Sequence, residues 1–429
     1  MRNTSTITAI ALFLALLSST CLAKQELNIE LPDWREPQQP VVRAAPQTLV
    51  KAPSAILVDA ESGQILFSKN IHTRRPMAST TKIMTAILVL ENCGMNTMVA
   101  ASKNACGTPT SSLHMVPGEQ LTIKNLLYGM LIRSANDACV AVGEHIAGSN
   151  AKFIKMMNER ANRLGANDTH FVNPHGLDAQ GHYSSAYDLS LMARHAVKFP
   201  LFNEIVNTRK AAIQRSKNQE DVVIFNHSKF LKRYADGDGI KSGYTKQAGK
   251  CYIGSATRNG WRLISVVLNS PDVAEDTIAL MEYGFKNFEA VKLASRDKTV
   301  GTVRVKGGSR RTVQIAPGAD LRAIVNADDP QDVTTKMETK TVSAPIKDGQ
   351  RLGYLVAYID GVRVAATSLR ATQPVGRGIW GLLIPWMRNG FILLIGLMVS
   401  KRYGATAAKG AGYCRNWVSQ EVRRTHRRR

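Results

Sequence analysis

The order in which hydrophobic periodicities change along the chain constrains its fold more than any other feature. "SAILVDAESGQILFSKN" (residues 54–70) reads as two β-rich runs around the turn residues Glu61, Ser62 and Gly63. From Lys82 to about Leu201 helical spacing dominates, as in "LTIKNLLYGMLI" and "NAKFIKMMNERANRLG". Strands return at "GIKSGYT", "CYIGSAT" and "WRLISVVLN", the last two joined by Asn259-Gly260, a strong hairpin signal. "EDTIALMEYGFKNF" then closes the region as a helix. Strands, helices and strands again predict an α+β unit: an antiparallel sheet whose first and last strands meet, with a helical subdomain between them.

The texture changes near residue 292. "TVGTVRVKGG", "RTVQIAPG", "TKMETKTVSAPI", "RLGYLVAYIDG" and "RVAATSL" are short alternating runs with Gly and Pro punctuation, which predicts a small all-β domain over 292–375. Residues 51–291 are then the larger, catalytic-sized domain, preceded by an extended Pro- and Gln-rich leader over 24–50. Residues 376–400 hold a third element, "GRGIWGLLIPWMRNGFILLIGLMVS". As a helix, Gly378 to Val399 would be about 33 Å long, enough to span a bilayer. Arg388 and Asn389 sit at its centre, however, and a central Arg costs about 2.5–3.5 kcal/mol against roughly 0.3–0.6 kcal/mol gained per Leu, Ile, Phe or Val. The sum lies near the insertion threshold. Trp380, Trp386 and the basic tail 401–429 also suit an interfacial helix on an anionic membrane surface, so attachment is expected with its mode open.

The N-terminus bears on compartment. "MRNTSTITAIALFLALLSSTCLA" has Arg2, an apolar stretch from Ile7 to Leu17 and small residues leading to Ala23, the anatomy of a secretory signal peptide over 1–23. Export counts against a nucleic-acid role for the net charge of +23, and directs that charge toward acidic phospholipid or another extracytoplasmic polyanion. Cys93, Cys106, Cys139, Cys251 and Cys414 remain after cleavage, without metal-like spacing. Cys139 and Cys251 read as buried thiols; a Cys93–Cys106 disulfide is left open. The histidines form no ligand spacing either, and "DGDG" (Asp236–Gly239) lacks the later acidic ligands of a calcium loop, so no metal or cofactor is expected.

Chemistry enters at "RRPMASTTKIMTAILVL", where Ser79 and Lys82 stand one helical turn apart. The simplest reading is a helix start, with Ser79 as cap and Ile83, Ala86, Ile87 and Leu90 as core stripe. The alternative is a nucleophile and its base, with burial lowering the lysine pKa from about 10.4 until the neutral amine can take the serine proton. Ser-x-x-Lys recurs at Ser149/Lys152, better read as an N-cap, and at Ser295/Lys298 in a polar stretch. "IRSANDACV" places Ser134 and Asn136 between helical patterns. Lys241-Ser242-Gly243 opens a strand, and Lys-[Ser/Thr]-Gly occurs nowhere else in the chain. Gly243 would let a ligand approach the backbone, while Lys241 and Ser242 suit a carboxylate.

These three motifs, in this order, resemble those of the penicillin-recognising serine D,D-peptidases, the low-molecular-mass penicillin-binding proteins that act as D-alanyl-D-alanine carboxypeptidases. "FVNPHGLDAQGHYSSAYDLS" and "GIKSGYTKQAGKCYIGSA" carry the likeness further, over roughly residues 45–375. The resemblance implies a β-lactamase/transpeptidase-like domain and a peptidoglycan stem ending in D-Ala-D-Ala as substrate, with β-lactams as covalent inhibitors. It assigns acylation to Ser79, the general base to Lys82 and proton relay to Ser134. Asn136, Lys241, Ser242, Gly243, Tyr244 and Thr245 would bind substrate, with the N–H groups of Ser79 and Tyr244 as the oxyanion hole. It places the enzyme on the periplasmic face of the cytoplasmic membrane. The chain departs from the family in having Ser242 and Tyr244 where Thr and His are frequent.

Three other functions were weighed. A class A β-lactamase would need a loop glutamate in Glu-x-x-Leu-Asn, and "NEIVN" around Glu204 is only a near match. A D,D-endopeptidase cutting cross-links separates poorly by sequence. A noncatalytic wall- or nucleic-acid-binding protein would have tolerated loss of Ser79, Lys82 or Lys241, and none is lost.

Overall fold

The computed structural model describes residues 46–217, 222–328, 332–378, 390–395 and 397–398. The expected signal peptide, the leader up to residue 45, most of the anchoring segment and the basic tail lie outside the described residues. The chain divides into two compact units, the first built mainly from residues up to Leu293 and the second mainly from those after it.

In the first unit, strands β1 (Ser54–Asp59), β2 (Ile65–Lys69), β3 (Gly237–Thr245), β4 (Gly249–Arg258) and β5 (Trp261–Ser270) form one antiparallel sheet in the order β2-β1-β5-β4-β3. First and last strands are neighbours, with Ile56 opposite Val266. Asn259 and Gly260 both take positive φ, 53° and 75°, the pair of left-handed residues that a two-residue turn needs to match strand twist.

Helices cover both faces of this sheet. Ile56, Val58, Ile264 and Val266 share a core with Ile83 and Ile87, whereas Leu57, Leu263 and Val267 pack with Leu280 and Met281. The alternation follows from the two-residue period of a strand. All six residues of β1 are buried, and each large apolar side chain there is worth roughly 1.5–3 kcal/mol. A one-residue slip would exchange the two cores, so the register is firmly set.

The helical insert contains α1 (Lys82–Asn92), α2 (Asn136–Ala147), α3 (Asn150–Arg163), α4 (Ala186–Ala196) and α5 (Pro200–Asn207); α6 (Val273–Asn287) follows the last strand. Helix α1 differs from the expected stripe. Every residue from Lys82 to Val89 is buried, and Leu90 only partly so. An apolar helix without a polar face belongs in the interior, and α1 is such a helix. Ser149 caps α3, accepting from Lys152 N.

The C-terminal unit is all-β. Strands β6 (Gly301–Lys306), β7 (Thr312–Pro317), β8 (Val333–Thr339), β9 (Val342–Ser343), β10 (Arg351–Ile359) and β11 (Val362–Ala371) form one sheet in the order β8-β10-β11-β7-β6-β9. Val303, Val313, Ile315 and Leu369 are buried in it, while Arg304 and Lys306 alternate outward. Residues 390–395 and 397–398 are helical, and Phe391, Leu393 and Met398 are more than 60% exposed. Among the described residues no helix is long and apolar enough to cross a membrane. Cys93 and Cys106 are free thiols, so the disulfide left open by the sequence does not form; Cys139 and Cys251 are buried and free.

Candidate active site

Ser79 sits in a short 3-10 turn, Ala78–Thr81, that runs into α1. It does not cap the helix. Thr81 occupies the cap position without a side-chain bond, and the Ser79 Oγ instead accepts from Lys82 Nζ at 2.9 Å. Ala78, just before it, takes φ +50°, a left-handed kink that non-glycine residues rarely adopt. Ser79 is half-buried and Lys82 fully buried, so a reachable hydroxyl lies against a hidden amine.

Lys82 Nζ also donates to Asn136 Oδ1 at 2.7 Å and to the His175 carbonyl at 2.7 Å. Three oxygens therefore surround it. Burial nevertheless lowers its pKa from 10.5 to about 8, with the Cys139 and Asp137 charges acting the other way. Roughly a tenth of the molecules would hold it as free amine at pH 7.

Ser134 and Asn136 reach the same place from a π-helical turn, Gly129–Arg133, which ends at Ser134 with φ +64° before α2 begins. Ser134 Oγ accepts from Lys241 Nζ at 3.1 Å, and Lys241 also donates to the Ser242 carbonyl at 2.9 Å. Lys241 is buried on β3; burial, then repulsion from Lys82, lowers its pKa to about 7. Desolvation of both, joined at Lys241 by repulsion from Lys82, thus brings two neighbouring lysines toward the physiological range.

Residues at positions 241 to 245 alternate across β3. Lys241 and Gly243 are buried; Ser242 and Tyr244 are exposed, Tyr244 by 67%. Gly243 lies against the turn that carries Ser79. A Cβ there would be 2.8 Å from Ser79 N and 3.1 Å from Thr80 N, so the missing side chain lets β3 approach the Ser79 amide. Thr245 Oγ1 donates to Asp178 Oδ1 at 2.6 Å and accepts from Ala248 N, which ties β3 to the loop after His175.

That loop contributes what side-chain motifs do not announce. Lys82 meets the main-chain oxygen of His175, Thr85 Oγ1 donates to the Pro174 carbonyl at 2.6 Å, and His182 Nε2 lies 2.9 Å from Thr81 Oγ1. A Cβ on Gly176 would collide with the Ala78 carbonyl at 2.0 Å. Burial and, secondarily, the Lys82 charge hold His175 down to about 3, so its ring is neutral at physiological pH. The signal in the sequence was "NPHGLD", whose Pro and Gly mark a constrained loop but not a carbonyl ligand.

Glu204 is a surface carboxylate held by Tyr128 at 2.7 Å and Lys124 at 3.8 Å. Asp238 of "DGDG" accepts from Ser255, Thr257 and Arg262, while Asp236 pairs with Arg258. The arrangement as a whole can activate a serine for acyl transfer and hold an anionic group beside it.

Comparison with known proteins agrees with this chemistry. A family model described as D-alanyl-D-alanine carboxypeptidase (Peptidase_S11) matches residues 41–272, and one described as penicillin-binding protein 5, C-terminal domain, matches residues 288–377. D-alanyl-D-alanine carboxypeptidase DacF of Bacillus subtilis is 34% identical over 333 residues, covering 75% of this chain and 85% of that protein. DacD of Escherichia coli, with the same described activity, is 30% identical over 393 residues, covering 87% and 95%. Penicillin binding protein 5 from Haemophilus influenzae superposes with a TM-score of 0.65 at 29% identity, over 78% of this chain and 100% of that one.

Proposed function

Because this chain belongs to the serine D-alanyl-D-alanine carboxypeptidase family, Peptidase_S11, we propose that Ser79 is its acylated nucleophile and Lys82 the base that activates it. The reaction is removal of the terminal D-alanine from a peptidoglycan stem ending in D-Ala-D-Ala. One observation carries the site assignment: the Ser79 hydroxyl lies 2.9 Å from a lysine that is fully buried and easily deprotonated.

The chemistry follows from the contacts. The substrate carboxylate is held by the Lys241 ammonium and the exposed Ser242 hydroxyl. Its charge stabilises the proton on Lys241, and repulsion between the lysines leaves Lys82 as the neutral member. Lys82 Nζ takes the Ser79 proton as Oγ forms a bond to the penultimate D-alanine carbonyl carbon. The N–H groups of Ser79 and Tyr244 stabilise the oxyanion. As the C–N bond breaks, Ser134 delivers its proton to the leaving amine and regains one from Lys82, which returns to the free amine, and free D-alanine departs. Water then attacks the ester, giving one proton to Lys82, which passes it to Ser79 Oγ as the shortened stem leaves as a free acid. A β-lactam enters the same way, but its leaving nitrogen stays tethered and the acyl enzyme persists.

The location is part of this proposal. Residues 1–23 direct export, and the protein works at the periplasmic face of the cytoplasmic membrane. The 376–400 segment and basic tail 401–429 attach it to the anionic lipid surface; the exposed apolar side chains of residues 391–395 and 397–398 support this reading.

Incubation with labelled penicillin and with a D-Ala-D-Ala-terminated peptide tests the assignment. Label on Ser79 and release of D-alanine are expected. Label retained by Ser79→Ala would refute it, rapid penicillin turnover would point to a β-lactamase, and cleavage confined to cross-linked dimers would point to an endopeptidase.

A further inference from the structure

Thr110 is a residue no motif singles out. It lies exposed on the loop between Gly107 and Gly118, and its φ is +68°. A β-branched side chain is crowded in that conformation, so something must hold it there. The loop is held by α2. Asp137 accepts from Ser112 Oγ, Leu113 N and Met115 N, and the Asn136 N–H donates to the Ser111 carbonyl at 2.7 Å.

The consequence falls on the Asn136 side chain. Its Nδ2 donates to Thr110 Oγ1 at 2.7 Å and to the Pro109 carbonyl at 2.9 Å, while its Oδ1 accepts from Lys82 Nζ at 2.7 Å. An amide has one donor end and one acceptor end. With two acceptors on the Nδ2 side, Oδ1 is the end presented to the lysine. Turned over, the amide would present N–H groups to an amine already carrying protons, and both loop oxygens would face Oδ1.

We infer that Thr110 is a positioning residue for acyl transfer: its hydroxyl, in a strained left-handed backbone, fixes the Asn136 amide so that Oδ1 faces Lys82 and holds the amine toward Ser79. This rests on the roles given above to Ser79 and Lys82. Thr110 is solvent-exposed, so replacing its hydroxyl removes no core packing.

The test compares Thr110→Val, Thr110→Gly and Thr110→Ser in the full chain, by the rate of acylation with labelled penicillin as a function of pH. Cys139 and Asp137 from α2 act on Lys82, which in turn acts on Lys241 from β3 and on the neutral His175 on its loop. In Thr110→Val the limiting rate should fall about tenfold. The acid limb should move to lower pH, because an ammonium that loses an acceptor gives up its proton more readily. Thr110→Gly, which relieves the backbone without restoring the hydroxyl, should be equally slow, and Thr110→Ser should recover the wild-type rate and limb. Wild-type behaviour in Thr110→Val or Thr110→Gly would overturn the inference, as would failure of Thr110→Ser to recover. Absence of Ser79 acylation in the wild-type protein would refute the underlying assignment instead, so the two failures are distinguishable.

Discussion

Replacing Gly243 by alanine would add one methyl carbon where β3 meets the turn carrying Ser79. That carbon would lie 2.8 Å from Ser79 N, 3.1 Å from Thr80 N and 3.1 Å from Ala78 Cβ, and two of these neighbours are backbone atoms that cannot rotate away. Relief to an ordinary contact requires strand and turn to separate by about 0.6 Å in a close-packed interior. A shift of 1 Å between reacting groups can cost about a hundredfold in rate, so acylation should fall roughly ten- to a hundredfold. Overpacking would also reduce stability by about 1–3 kcal/mol. Stopped-flow or quenched labelling with penicillin measures the first effect and thermal unfolding the second. The control is Gly94→Ala, whose only close neighbour is the Thr97 hydroxyl at 3.2 Å, and it should label normally. A folded Gly243→Ala enzyme that acylates at the wild-type rate would refute the close-approach reasoning.

Acylation should pass through a maximum between the lysine pKa values of about 7 and about 8. Below the window both amines are protonated and Lys82 cannot accept; above it both are neutral and the carboxylate loses its ammonium. A penicillin-labelling rate that rises steadily to pH 10 would contradict this, and Lys241→Met should lose the alkaline limb. Arg215 Nε lies 2.8 Å from Glu119 Oε1 with both side chains fully buried, so Arg215→Met leaves a buried carboxylate without that partner. A loss of about 3–5 kcal/mol is expected, lowering the melting temperature by roughly 10 °C; a change within 2 °C would count against it.

How much of this was legible beforehand depended on whether the information lay in side-chain pattern or in main chain. The strand-helix-strand succession gave the meeting of β1 and β5, because period-two burial writes both cores into "SAILVD" and "WRLISVVL". Asn259-Gly260 gave its hairpin for the same local reason, a demand for positive φ. The core stripe expected of helix α1 holds at Ile83, Ala86 and Ile87, but the other faces are buried too, which a stripe does not foretell. Ser79 offered two readings, and only coordinates could show its Oγ turned to Lys82 instead of back to the helix amides. Gly243 was read as room for a ligand; its lack of a side chain also makes room for the Ser79 turn, which the sequence did not announce. The His175 carbonyl and the strained Thr110 left no trace, because a carbonyl is present at every residue and a dihedral angle is not spelled by its side chain.

The adjacency of β1 and β5 has a consequence for how the protein comes into being. Ser79 leaves the ribosome early, but the strand that backs it and the neighbours that align that strand arrive only after the whole helical insert has been synthesised. On the proposed chemistry a partial chain should therefore carry an ordinary, unreactive serine, and capture of a penicillin would require that synthesis has run through Ser270 and that both ends of the sheet have closed on one another.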